Sequence, residues 1–381
     1  MKPVSLGTVD LTDKDIRRAT ECLKKGQLSP GPTTRAFEDL VAARHGQPHA
    51  TYCNSGQSAL HLILEGLKLH GKVRRVIVPA LTYISSLHAV WNAGLQVQLA
   101  DVDPKTYCLD WEALRLRDDD VVMPVHLFGW STVPPMEVDN WTIVEDACEA
   151  LGAPGVGYGD AVAFSFYVAH TITTGVGGMA TTKHAWLDTA IKRLANHGRV
   201  RADDLYAGLR VDHVDTAVRF RFTDIGFSYK LGDVNAALGI GQMERLDAIL
   251  TKRRWVAARL RERLVGLPLQ FPFDDGRHTY MMYPLMCEEE GVRDQLMVYL
   301  AQQEIETRHM MPVTNQPVVK KIIGGIEHRY PVAQQVNRRG FYVGCHQGMT
   351  EDDCARIGDA CRKFFGAQSV RPVLSDSSGT P

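Results

Sequence analysis

The chain has 381 residues, and its 43 Lys and Arg are balanced by 44 Asp and Glu, which leaves a formal net charge of −1. This balance offers no basic surface, so neither nucleic acid nor an anionic membrane is an expected partner. With 45% hydrophobic and 23% charged residues, the composition is that of a globular protein that can bury a sizeable core. Residues 1–10 lack the apolar stretch of a secretory signal, and the expected location is the cytoplasm.

The eight cysteines are scattered along the chain and form no Cys-x-x-Cys pair. A chain of this length does not need disulfides to stabilise its fold, so the pattern favours free thiols in a reducing compartment. Structural metal sites built from cysteine use closely spaced pairs, and we therefore expect no metal site.

Short apolar runs alternate with amphipathic stretches over the first two thirds of the chain. The runs predict strands at Arg75–Pro79, Val97–Val102, Val121–Phe128, Trp141–Glu145, Val162–Tyr167 and Met179–Thr182. Helices are predicted between them, for example over Ser58–Leu69 and Trp186–Asn196. Several runs are continuously apolar, as in strands that are buried on both faces of a mainly parallel sheet. The pattern predicts a doubly wound α/β domain.

The pattern changes after Asp233. A long helical stretch is predicted over Val234–Arg261, then a strand at Thr279–Cys287 and helices at Val292–Gln303 and Glu351–Phe365. These elements predict a second, smaller α+β domain. We place the large domain at 1–245 and the small domain at 246–367. Residues 368–381 are rich in Ser, Pro and Gly, and we expect them to form a disordered tail.

The first candidate site lies at residues 54–60, where small and polar residues lead into a predicted helix. Free backbone amides at a helix start bind phosphate, Gly56 permits close approach, and Ser55 and Gln57 offer hydrogen-bond donors. The segment therefore predicts a phosphate site. A helix start that is simply capped by Ser55 explains the same residues.

Carboxylates stand at the end of the strand predicted at Trp141–Glu145. Asp146 and Glu149 would lie at the carboxyl end of a central strand, where open α/β sheets bind their ligands. One such carboxylate could hold a protonated heteroaromatic nitrogen. The structural alternative is an acidic turn that starts a helix.

Two further segments place a functional side chain just beyond a predicted strand. Tyr83 follows Arg75–Pro79 and could either stack on a planar ligand or lie in the core. Ser165 is followed by His170 and by a glycine-rich turn that ends at Gly178. Considered alone, His170 fits a structural role as well as a catalytic one.

In this order and spacing, the four segments resemble the DegT/DnrJ-type sugar aminotransferases, a family of fold-type I enzymes that use pyridoxal 5′-phosphate (PLP). The resemblance extends from about Val4 to Phe365. It includes Ser29-Pro30-Gly31-Pro32, the stretch from Arg193 to Gly198, and the stretch from Asp224 to Lys230.

This resemblance implies a role for each candidate residue. Asp146 would keep the cofactor's ring nitrogen protonated, which makes the ring an electron sink, and Tyr83 would lie on the ring face. The implied cofactor-binding residues are Ser55, Gly56, Gln57, Tyr83, Asp146, Glu149, Ser165 and Ser228. The implied substrate-binding residues are His197 and Arg308, whose forked guanidinium suits a carboxylate or a diphosphate. A surface ion pair is the alternative role of Arg308.

His170 stands where the aminotransferases carry the lysine that binds the cofactor, and no lysine occurs between His170 and Lys183. An imidazole cannot form the stable imine that a primary amine forms with the cofactor aldehyde. With an unperturbed pKa of about 6.5, against about 10.4 for lysine, histidine is the better-matched base at neutral pH. We therefore expect His170 to be the catalytic base.

The segments around Asp146, His170 and Arg308 are similar to one branch of the family, the nucleotide-sugar 3-dehydratases. This similarity implies that pyridoxamine phosphate (PMP), formed from PLP and an amino donor such as glutamate, condenses with a 4-keto-6-deoxy sugar. His170 would then remove a proton, the C3 hydroxyl would leave, and hydrolysis would release ammonia. One arm of the branch carries an iron–sulfur cluster, but no Cys lies between Cys148 and Cys287, so we expect no cluster.

The family resemblance also implies a homodimer with the site at the subunit interface. Two departures limit the prediction of the substrate: Ser228 replaces an asparagine that contacts phosphate across that interface, and Val176 replaces a common glutamate. Two alternatives therefore stay open. One is a PMP-dependent, aminotransferase-like enzyme that acts on another ketone or on a modified nucleoside. The other is a catalytically silent PLP-binding relative.

Overall fold

The computed structural model describes residues 2–71, 73–117, 119–135, 141–200 and 220–369. The helices are α1 (Asp13–Lys24), α2 (Pro32–Arg44), α3 (Gly56–Leu69), α4 (Ile84–Asn92), α5 (Ala185–Ala195), α6 (Asp233–Glu244), α7 (Leu246–Leu264), α8 (Val292–Gln302), α9 (Pro317–Ile323), α10 (Pro331–Arg339) and α11 (Glu351–Ser369). The strands are β1 (His49–Cys53), β2 (Arg75–Pro79), β3 (Gln96–Ala100), β4 (Asp120–Val122), β5 (Thr142–Asp146), β6 (Ala161–Ser165), β7 (Gly178–Thr182), β8 (Leu269–Gln270), β9 (Met282–Cys287), β10 (Thr307–His309) and β11 (Gly340–Gly344).

Seven strands form one sheet in the order β1-β7-β6-β5-β4-β2-β3. The pairs from β6 to β3 are parallel, and β7 runs antiparallel to both of its neighbours. Alternate residues of β6 pack into cores on opposite faces. Ala161 and Ala163 join the core that contains α3, α4 and α5, and Val162 and Phe164 join the core that contains α2 and α6. The predicted α/β fold with a mainly parallel sheet is confirmed.

Two strand predictions need correction. The strand predicted at Val121–Phe128 ends at Val122, because Pro124 has no N–H for a ladder and Phe128 has a left-handed backbone with φ of 58°. The strand β1 was missed, apart from the strand-like Tyr52-Cys53. All five of its residues pair with β7, so pairing with this neighbour, rather than a continuous apolar run, makes it a strand.

The second sheet has four antiparallel strands in the order β10-β11-β9-β8. Its core also contains residues of α7, α8 and α11. The helical stretch predicted over Val234–Arg261 is two helices that meet at Arg245. The predicted α+β character of this part is confirmed, while the domain boundaries stay predictions. Helix α11 runs to Ser369, and residues 370–381 of the predicted tail lie outside the described residues.

The carboxyl ends of the parallel strands β2, β5 and β6 meet at one edge of the large sheet. Asp146 ends β5, Tyr83 follows β2, and His170 follows β6. The topology therefore brings residues that are far apart in the sequence to the same edge. Among the described residues, no helix is long and apolar enough to cross a membrane.

Candidate active site

The start of α3 forms one wall of a cavity. Ser55 caps this helix, with its Oγ accepting a hydrogen bond from the Ser58 N–H at 3.1 Å. A Cβ atom on Gly56 would lie 2.6 Å from the Cys148 Sγ and 2.9 Å from the Ser165 Cβ, so only glycine fits here. The cap and the phosphate site are compatible, because a capped helix start still has amide N–H groups without helical partners.

The cavity has a volume of about 440 Å³ and lies at the carboxyl edge of the large sheet. It brings together most of the predicted residues. Those that line it are Ser55, Gly56, Gln57, Tyr83, Asp146, Glu149, Ser165 and His170. Tyr83 is 71% exposed, so the alternative that placed its ring in the core is wrong. Over the described ranges, we find no cluster of three or more His, Cys, Asp or Glu side chains that could hold a metal ion.

Asp146 is held in a fixed orientation at the end of β5. Its side chain is buried, its Oδ2 accepts a hydrogen bond from the Ser86 Oγ at 2.7 Å, and its Oδ1 accepts one from the Cys148 N–H at 3.2 Å. The Ser86 hydroxyl in turn lies 2.9 Å from the Thr82 Oγ1. Ser86 and Thr82 also line the cavity, and sequence reasoning missed both.

Glu145 precedes Asp146 but has a structural role. It is fully buried, and its carboxylate accepts hydrogen bonds from the Gly157 and Gly159 N–H groups and lies 2.8 Å from the His126 Nε2. The His126 Nδ1 accepts the Thr132 N–H, so the proton of a neutral His126 is on Nε2 and points to Glu145. Of these two adjacent carboxylates, Glu145 therefore supports the structure and Asp146 faces the cavity.

Glu149 combines a cavity position with an unusual acidity. Its Oε2 accepts the Phe128 N–H at 2.6 Å. Burial raises the pKa of Glu149 to about 7, although the Phe128 hydrogen bond acts to lower it, and the charge of Asp146 adds to the increase. This carboxyl group therefore changes its protonation state near neutral pH.

We expect Glu149→Gln to flatten the pH dependence of stability. The pKa of Glu149 rises from an ordinary value of 4.5 to about 7 on folding. The folded protein thus keeps a proton that the unfolded chain loses, and folding stability falls as the pH rises through this window. Glutamine cannot ionise, so the variant should show a smaller fall in the free energy of unfolding, measured by urea denaturation at several pH values.

Glu38→Gln is the matched control for this prediction. Burial also raises the pKa of Glu38 to about 7, and Glu38 accepts the Tyr52 N–H at 2.7 Å, but it does not line the cavity. Both variants should flatten the stability profile, and only Glu149→Gln should change the pH dependence of PLP binding. A Glu149→Gln profile identical to that of the wild type would contradict the raised pKa.

His170 presents a neutral imidazole to the cavity. Its Nδ1 is buried and has no hydrogen-bond partner among the residues that the structure describes. Burial lowers the pKa of His170 to about 4, and the charge of the nearby Arg253 contributes to the decrease. The side chain is therefore able to accept a proton at neutral pH.

The segment after His170 is fixed by its neighbours. Gln242 binds both the N–H and the carbonyl of Thr173, at 3.0 and 2.6 Å. The Tyr52 hydroxyl donates to the Thr174 Oγ1 at 2.7 Å. These contacts hold the loop that carries His170 against α6 and β1.

The other predicted residues lie outside the cavity of a single chain, and their roles stay predictions. The Lys230 Nζ lies 3.3 Å from the Ser228 Oγ and 3.2 Å from the His197 Nε2, and these three side chains are exposed. Arg308 is exposed on β10, where it pairs in register with Tyr342 of β11. Arg308 makes no ion pair within the described part of the chain, so the structure does not support its alternative role in a surface ion pair.

A second pocket of about 250 Å³ adjoins the cavity and shares Tyr83 and Glu149 with it. Its other walls include His309, Met310 and Tyr342. Sequence reasoning identified Arg308 but missed these neighbours, for which the β10–β11 pairing was the necessary signal. Cavity and pocket together give room for a cofactor and a further ligand.

The residues of the cavity fit PLP. The start of α3, with a glycine that no side chain could replace, suits a phosphate group, and Ser165 lines the cavity beside it. Asp146 presents a carboxylate of fixed orientation, and the exposed Tyr83 ring provides a stacking surface.

Solved structures with the same fold contain this cofactor. Escherichia coli GDP-4-keto-6-deoxy-D-mannose-3-dehydratase with bound hydrated PLP has a TM-score of 0.85 at 21% identity and covers 95% of this chain and 100% of that chain. GDP-4-keto-6-deoxymannose-3-dehydratase with a trapped PLP-glutamate geminal diamine has a TM-score of 0.83 at 21% identity, with 94% and 100% covered. The fold is one that binds PLP and PMP.

Sequence comparison identifies the family. The GDP-perosamine synthase of Caulobacter vibrioides is 33% identical to this chain, and the similarity covers 93% of this chain and 96% of that protein. The model of the DegT/DnrJ/EryC1/StrS aminotransferase family matches residues 9–362. The chain belongs to the DegT/DnrJ/EryC1/StrS aminotransferase family, a family of PLP-dependent enzymes.

Proposed function

We propose that the protein is a PLP/PMP-dependent 3-dehydratase of a nucleotide-linked 4-keto-6-deoxy sugar. The observation that carries this proposal is the neutral imidazole of His170 in a cavity that no described lysine lines. GDP is the first nucleotide to test, because the relatives named above act on or make GDP-linked sugars.

Groups at four places in the fold hold the cofactor. The start of α3 and the Ser165 hydroxyl hold its phosphate, Asp146 holds the proton on the ring nitrogen, and Tyr83 covers the ring. When bound, PMP supplies the amine that joins the keto carbon of the sugar and a ring that takes up electrons.

His170 moves the proton on which the reaction depends. With PMP bound, the neutral imidazole of His170 would accept a proton in the cavity, and the C3 hydroxyl of the sugar would take up a proton and leave as water. Since no described lysine lines the cavity to displace the product, water would release the product, with ammonia formed alongside it. Glutamate is the proposed amino donor, in line with the glutamate adduct of the similar dehydratase structure.

We propose that the protein acts as a homodimer. Ile225 is 95% exposed and Phe220 is 72% exposed, close in sequence to the exposed Ser228. Large exposed apolar side chains mark interaction surfaces, and a second copy would cover them. His197 and Ser228 would then face the partner's cavity.

Amine transfer to the cofactor is tested by spectroscopy. We expect glutamate to convert the absorbance band of bound PLP into the shorter-wavelength band of PMP. A His170→Lys variant should gain a cofactor attachment that borohydride makes permanent, with the label on residue 170. No conversion with any amino donor would contradict the proposal and favour a silent relative.

A second candidate is amine transfer to the same sugar, which the 33% identical GDP-perosamine synthase favours. The two reactions differ in the fate of the nitrogen. With isotopically labelled glutamate and a GDP-linked 4-keto-6-deoxy sugar, dehydration releases labelled ammonia and a deoxy sugar, whereas amine transfer leaves the label on the sugar. If the label from glutamate is found in an amino sugar, the proposed dehydratase activity is wrong.

A further inference from the structure

A groove of about 810 Å³ lies away from the cavity, beside helix α7. Its other walls are residues 270–274 and the loop at Pro104 and Lys105, which the Gln270 side chain ties to β8 by donating to the Pro104 carbonyl at 3.0 Å. None of the predicted site residues lines this groove. Its volume lies in the range of small-molecule sites.

The groove carries an excess of positive charge. Lys105, Arg254 and Arg261 line it, and none of the three makes an ion pair within the described ranges. Asp274 also lines it, but its carboxylate already accepts hydrogen bonds from the Tyr280 hydroxyl at 2.6 Å and the Gly276 N–H at 2.8 Å. Three cations against one carboxylate leave the groove with an excess of positive charge that an anion could use.

Aromatic side chains form the apolar part of the wall. Phe271 lies 5.3 Å from the Arg261 guanidinium, measured to the ring centroid, and Phe273 is partly exposed. Tyr280 has a left-handed backbone with φ of 54°, and its ring stacks on His278 at 4.0 Å. A strained conformation of this kind persists only where the surroundings fix it, so this wall is preorganised.

We propose that this groove binds a nucleoside phosphate, separately from the cavity. The base would stack on the aromatic wall, and the phosphates would bind Arg254, Arg261 and Lys105, whose charges match them. Only a ligand that is both planar and anionic uses the two features together. The proposal concerns a second site and does not depend on the reaction proposed for the cavity.

The test is calorimetric titration of the full-length, PLP-loaded protein with GDP. We expect the double variant Arg254→Ser/Arg261→Ser to weaken binding at the groove by at least about tenfold, because each charge-assisted hydrogen bond is lost. Guanosine and inorganic phosphate should each bind at least about tenfold more weakly than GDP, since guanosine contacts only the aromatic wall and phosphate only the cations. Phe271→Leu, which removes a ring and no charge, should also weaken GDP binding.

Arg259→Ser is the matched control. Arg259 lies on the same helix, pairs with Glu262 at 2.5 Å and does not line the groove, so GDP binding should be unchanged. If the groove variants leave GDP binding unchanged and Arg308→Ser abolishes it, the proposed groove site is wrong and the proposed function still stands. If one GDP binds per chain, and binding is lost in the double variant but kept in Arg308→Ser, the result supports the groove site and counts against a GDP-linked substrate at Arg308.

Discussion

Replacing His170 with asparagine should slow the sugar reaction by about 10²–10⁴-fold, the usual contribution of a general base. Asparagine keeps a polar side chain of similar size but cannot accept a proton at neutral pH. PLP binding should be preserved, because the contacts proposed for its phosphate and ring come from α3, Ser165, Asp146 and Tyr83, which line the cavity. Product formation from a 4-keto sugar in a single turnover, with PLP affinity measured in parallel, checks both expectations.

The pH dependence of the wild-type reaction rate tests the role of His170 independently. Because the pKa of His170 is lowered to about 4, its base form persists well below the ordinary histidine value of 6.5. The acidic fall in rate that depends on His170 should therefore lie below pH 6.5 and be absent from the residual activity of His170→Asn. His328→Asn, on an exposed turn outside the cavity, is the control and should behave as the wild type. A variant at position 170 with full activity would exclude the proposed base.

The parts of the fold that the sequence predicted well are those in which local pattern and tertiary environment agree. β2 and β6 are continuous apolar runs buried on both faces, and they were placed to within a few residues. The run at Val121–Phe128 has the same composition, but Pro124 and the left-handed Phe128 end its strand after Val122. Apolar composition indicates burial, and backbone hydrogen bonding decides where a strand ends.

The candidate site could be predicted where one segment carries its own chemistry. Gly56 stands at a helix start, Asp146 at a strand end and His170 in the loop after β6, and the structure brings them to one cavity. The Ser86 hydroxyl that orients Asp146 lies 60 positions away in the sequence, and no local pattern connects the two. Such supporting contacts arise from packing and require the structure.

Gly178→Ala should destabilise the protein and weaken PLP binding. Gly178 lies in β7 between Cys53 of β1 and Ser165 of β6. A Cβ atom there would lie 2.2 Å from the Ser55 carbonyl carbon and 2.6 Å from the Gly56 nitrogen. Both contacts are with backbone, so the start of α3 must move away from the sheet. We expect a loss of about 3 kcal/mol in the free energy of unfolding, at the upper end of typical overpacking costs.

The two parts of this prediction are measured by urea denaturation and by PLP titration. Gly366→Ala makes the same chemical change in helix α11, where an added Cβ meets no atom within 4 Å. Alanine is the better helix former, so this control should be stabilised by up to about 1 kcal/mol and keep its PLP affinity. If Gly178→Ala lowers the free energy of unfolding and Gly366→Ala raises it, contact with the start of α3 causes the loss. Equal unfolding free energies for Gly178→Ala and the wild type would mean that this helix start is free to move, and the phosphate site would then lack the rigid support assigned to it.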